Sequence, residues 1–79
     1  TVLESLGLYI GALRRRRKLS LQEVSQSAGI SRNLMLQIEL GVASLDQVTD
    51  HLADIAGALD CEPGKLSAII FERTSELLE

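Results

Sequence analysis

Apolar residues recur along this chain at three- and four-residue steps, the period of a helix, and polar residues fill the positions between them. Leu3, Leu6, Ile10 and Leu13 predict a first helix to about Lys18. Ser20-Leu21-Gln22-Glu23 reads as a capping box, a serine cap with a glutamate three residues on, and predicts a short second helix ending near Ala28. Gly29 can adopt a left-handed conformation and stop that helix at little cost. Ser31 is placed to cap a third helix, which runs to about Leu40 before Gly41. A second box, Ser44-Leu45-Asp46-Gln47, precedes the stripe Leu45, Val48, Leu52, Ile55 and Leu59 of a fourth helix, with Asp46 and Asp50 near its positive end. Glu62-Pro63 opens a fifth helix over about residues 63–78, because proline suits a first helical position; Leu66, Ile70, Arg73 and Leu77 share one of its faces. With one proline and few aromatics, strands are not expected. The pattern predicts an all-α fold, a compact five-helix bundle and a single domain over residues 1–79.

A chain of 79 residues is near the lower end of what folds alone, and the 46% hydrophobic and 24% charged content is that of a globular domain. Cys61 is the one cysteine, so no disulfide can close within the chain, which suits a reducing compartment. With His51 as the only other soft ligand, no metal site is expected. There is no apolar run of bilayer length, no nucleophile–base pair and no glycine-rich phosphate loop. The expectation is a cytoplasmic protein that is neither an enzyme nor a holder of a cofactor, with no membrane contact. His51 reads as a solvated helix residue and Cys61 as a small core residue. The last helix carries Ile69, Ile70, Phe71, Leu77 and Leu78, more apolar groups than one face needs. A homodimer seam there is expected; the other reading is that these residues cover the Leu3–Ile10 side of the first helix.

Net charge is −3, yet it is unevenly spread. Residues 1–43 hold six cations against three acids, and residues 44–79 hold two against eight. Such polarity can orient a protein on a phosphate surface. Equally, Arg14 to Lys18 end a helix, where the dipole favours cations.

The stretch from about 20 to 40 has the form of a helix-turn-helix, with the turn at Ala28-Gly29-Ile30-Ser31. Val24, Ile30, Met35 and Ile38 have the spacing to bury the inner faces of the pair. Arg32, Asn33 and Gln37 lie on the other side of the third helix. Arginine can fork onto guanine, and asparagine or glutamine onto adenine. These three are the candidate base contacts, with Leu34 placed to touch a thymine methyl. Arg17, Lys18, Gln22 and Ser31 are the candidate phosphate contacts.

Leu13-Arg14, Leu19-Ser20, Val24, Ala28-Gly29-Ile30-Ser31, Met35, Ile38-Glu39, Gly41, Ala56 and Ala58-Leu59 resemble the Xre or lambda-repressor-like helix-turn-helix family in type and spacing, as does the run Leu59–Leu66. The resemblance implies that fold, a role in transcription control such as repression, and a dimer on a palindromic DNA operator. It also implies an ion pair between Arg14 and Glu39 that fixes the recognition helix against the first helix.

Several positions depart from the family. Leu21 stands where a glutamine often contacts phosphate, Ser25 where a small alanine is usual, and Val42-Ala43 where a basic loop often clamps the backbone. Leu34, Leu36 and Leu40 replace polar residues on the third helix. An exposed apolar helix face can be a protein-contact surface. This supports an alternative reading as a protein-binding antitoxin or adaptor module acting through those leucines.

Overall fold

A computed structural model describes the backbone of residues 1–78 and the side chains of residues 1–70. The described residues form five helices and no strand: α1 (Val2–Arg16), α2 (Leu21–Ala28), α3 (Arg32–Leu40), α4 (Leu45–Ala58) and α5 (Pro63–Leu78). Helix α1 packs on α3 and α5, α2 on α3 and α4, and α4 on α5. Leu6, Ile10, Val24, Met35, Ile38, Val48, Ile55, Leu59 and Leu66 form the centre of one shared core. Ile30 packs on its edge, half-buried, between the two helices of the helix-turn-helix.

Both expected capping boxes are formed. Ser20 Oγ accepts from the Glu23 amide at 3.0 Å, and the Glu23 carboxylate accepts from the Ser20 amide at 2.9 Å. The backbone bond first, and the serine side chain second, hold the Glu23 carboxyl below its usual value of 4.5. A depressed carboxyl stabilises the fold fully above that usual value, and the contribution is lost as pH falls from there through the lowered folded value. Glu23→Gln is therefore expected to lower the melting temperature slightly at neutral pH, and the gap from the wild type is expected to close as pH falls below that usual value.

Each of the first four helices ends on a left-handed residue that lets two amides turn back onto helix carbonyls. Gly29 (φ 72°) and Gly41 (φ 77°) serve α2 and α3. Lys18 (φ 59°) and Asp60 (φ 55°) do the same for α1 and α4, although neither is glycine. This explains why α1 stops at Arg16, short of the expected end near Lys18. The Lys18 and Leu19 amides already bond to the Arg15 and Arg14 carbonyls, so the chain has turned away.

Leu45, expected at the head of the α4 stripe, is 48% exposed. Its place is taken by Ala43, one residue before the Ser44 cap. Ala43 and Val48 occupy the two positions of a hydrophobic staple, and both are buried.

Ile69 and Ile70 on α5 are half-buried and pack against the core that holds Leu6 and Ile10, with α5 lying on α1. Phe71, Leu77 and Leu78 lie outside the described side chains. Cys61 is half-buried at the core edge, as expected. Burial pushes the Cys61 thiol pKa up, and the nearby Arg17 and Lys65 charges only partly offset it.

Candidate nucleic-acid interface

The candidate surface is the outer side of α3. Helical geometry turns each successive residue by about 100°, which places Leu36, Leu40, Asn33 and Gln37 in that angular order within about 140° of Arg32. All five are exposed. Leu34, Ile38, Met35 and Glu39 follow in the remainder of the turn. Met35 and Ile38 are buried, while Leu34 and Glu39 are half-buried. The helix thus divides into a solvent arc carrying Arg32, Asn33 and Gln37, and a buried arc that anchors it. Leu34 packs against the core from the edge of the buried arc. Leu36 and Leu40 lie inside the solvent arc, between Arg32 and the two amides.

What holds α3 in this orientation is charged as well as apolar. Arg14 Nε donates to Glu39 Oε2 at 2.7 Å, and Nη2 donates to Oε1 at 3.2 Å. The same guanidinium donates through Nη1 to the Leu19 carbonyl at 3.0 Å. One side chain therefore ties the end of α1 to the strap before α2 and to the last turn of α3. The two side chains keep only 17% and 10% of their exposure. A fork-to-fork pair of this kind fixes direction as well as distance.

Two glycines on α1 make that approach close enough. A Cβ on Gly7 would lie 2.4 Å from the Glu39 carbonyl oxygen and 2.6 Å from that of Ile38. A Cβ on Gly11 would lie 3.0 Å from Glu39 Oε1. The sequence carried a signal for this. A glycine inside a helix costs about 1 kcal/mol relative to alanine, so two of them four residues apart signal that this face meets a close neighbour, here backbone at Gly7 and the Glu39 side chain at Gly11.

The expected phosphate contacts are spread over three turns. Ser31 caps α3, its Oγ accepting from the Leu34 amide at 3.0 Å, so its hydroxyl proton remains able to donate. Gln22 is exposed on the first turn of α2. Lys18 is exposed at the α1–α2 turn. Arg17 is placed differently: its Nη2 donates to the Asp60 carbonyl at 3.2 Å, which ties it to the turn between α4 and α5. Val42, in the loop after α3, is 70% exposed and offers no charge there. Among the described residues no group of three His, Cys, Asp or Glu could hold a metal, and no helix is long and apolar enough to cross a membrane.

No protein-family model matches the chain, and no curated relative matches it. Its backbone does superpose on the crystal structure of the clp gene regulator ClgR from C. glutamicum, with a TM-score of 0.75 over 92% of each chain. The fold is a helix-turn-helix. At 19% identity the likeness is one of architecture, not of side chains. In the helix-turn-helix of this chain, α2 and α3 are the paired helices, Gly29 is the turn, and α1 is the support to which Arg14 fastens the second helix.

Proposed function

We propose that the protein is a sequence-specific DNA-binding transcription regulator of the Xre type, with α3 in the major groove. The carrying observation is that Arg32, Asn33 and Gln37 share the solvent arc of a helix pinned from behind by Arg14–Glu39. Arg32 and Asn33 occupy the first turn, the part such motifs push deepest into the groove. Ser31, Gln22 and Lys18 would hold phosphates on either side, and Arg17 would join them on leaving the Asp60 carbonyl. Leu34 is half-buried against the core, so apolar contact from this face would fall to the exposed leucines of the arc. The likeness in fold to a clp gene regulator supports the same reading.

Binding is proposed to be dimeric, with Ile69, Ile70, Phe71, Leu77 and Leu78 as the seam and half-sites about 34 Å apart. Sedimentation showing only monomer at micromolar concentration, with and without operator DNA, overturns the dimer.

Fluorescence anisotropy on a selected duplex over a salt series tests the DNA surface. Arg32→Ala is expected to narrow the preference for the selected sequence over a scrambled one by about 1–3 kcal/mol, the worth of one bidentate base contact, with the loss confined to the base it reads. Lys18→Gly is expected to reduce the salt slope by about one phosphate contact. The same change relieves a left-handed lysine and stabilises the fold by about 1 kcal/mol, so weaker binding cannot be ascribed to unfolding. Indifference of binding to both changes removes the proposed surface.

A protein-binding module is the second reading. Leu40 at 61% exposure and Leu8 at 69% favour it, since both are large apolar groups left in water. Nuclease-resistant capture of one partner, abolished by Leu40→Asp, is its expected signature.

A further inference from the structure

We propose that Leu36 is a specificity-determining residue that packs on the 5-methyl group of a thymine, so that the DNA half-site contains an A·T step beside the base read by Asn33 or Gln37. This rests on the regulator reading above and names the chemistry its site recognises.

Leu34, the leucine whose spacing alone suggested a methyl contact, packs against the core. Leu36 is 39% exposed and lies inside the arc bounded by Arg32 and Gln37. Along the axis it stands about 4.5 Å beyond Asn33 and about 1.5 Å before Gln37, at a rise of about 1.5 Å per residue. Neighbouring base pairs are about 3.4 Å apart along a strand, so a side chain there meets the same base step as the two amides, or the next.

An A·T pair presents to the major groove both the N6 and N7 atoms that a side-chain amide can pair with and the thymine methyl. No other base pair offers that combination. A mixed arc of guanidinium, leucine and two amides matches it. An apolar protein partner does not, because it would bury Arg32, Asn33 and Gln37 without hydrogen-bond partners. Leu40 shares the arc but sits one turn further on, toward the end of the helix that leads away from the groove.

The test starts from duplexes selected by the wild-type protein out of a random pool. Each thymine of the selected site is then replaced in turn by deoxyuridine, which removes only the methyl group. At one thymine per half-site the wild type is expected to lose about three- to five-fold in affinity, the factor that burial of one methyl-sized group supplies. Leu36→Ala is expected to lose a similar factor on the thymine duplex and to be indifferent to deoxyuridine at that position. Leu40→Ala is expected to retain the deoxyuridine penalty. Thermal melts of both variants, each at an exposed position, establish that the fold persists. A wild type insensitive to every deoxyuridine, or a Leu36→Ala variant that keeps the full penalty, overturns the assignment and leaves DNA binding intact. Failure to select any duplex overturns the regulator reading and this assignment with it.

Discussion

Gly7→Ala is expected to destabilise the protein by about 3 kcal/mol, at or beyond the upper part of the range for overpacked cores. The added carbon would meet two carbonyl oxygens and the Glu39 carbonyl carbon, all within 2.8 Å. These are backbone atoms of the last turn of α3, and they cannot swing aside as a side-chain tip can. Either α1 or α3 must move as a body. At about 4–8 °C per kcal/mol for a chain this short, the melting temperature falls by about 12–24 °C. DNA affinity is expected to fall as well, because the helix displaced is the one proposed to read bases. Gly57→Ala is the matched control. Gly57 lies in α4 with nothing within 4 Å of an added Cβ, so the same substitution there is expected to stabilise by about 0.5–1 kcal/mol. Melts in which the two variants shift alike are incompatible with a close α1–α3 crossing.

Glu39→Ala is expected to cost about 3 kcal/mol, because it strands Arg14 at a site with little solvent. The Leu19 carbonyl still accepts from Nη1, but it carries no compensating charge. Glu39→Gln keeps one acceptor but no negative charge, and its NH2 group opposes the second guanidinium donor, so it is expected to cost nearly as much. A double-mutant cycle with Arg14→Ala separates the coupling from the cost of isolating either charge. A cost below about 1 kcal/mol for Glu39→Ala places the pair with surface ion pairs, whose contributions are small, and removes it as the anchor of α3.

The helices were legible because their signals are local. Serine caps with their third-residue partners, left-handed glycines and the 3.6-residue period each act within a few residues, and α2 and α3 fall where those signals end them. The end of α1 was not legible, since Lys18 gives no sign that it will accept the left-handed region. Ser25 shows how a departure from a family pattern can be harmless. It is buried, and its hydroxyl donates to the Gln22 carbonyl at 2.9 Å, so it asks nothing of the core. Arg17 could be placed by charge, but not by target: its partner lies 43 residues away in the chain.

The sequence alone determined the five helices, the turn at Gly29 and the identity of the three polar side chains on the outer arc of α3, because periodicity and capping are short-range physics. Tertiary structure decided which two leucines lie among those three and which one packs on the core, that Ala43 rather than Leu45 closes the base of α4, and that Gly7 and Gly11 let α1 press against the end of α3. Those outcomes depend on where two helices cross, and a crossing is set by the volumes on both partners together, which neither segment carries by itself.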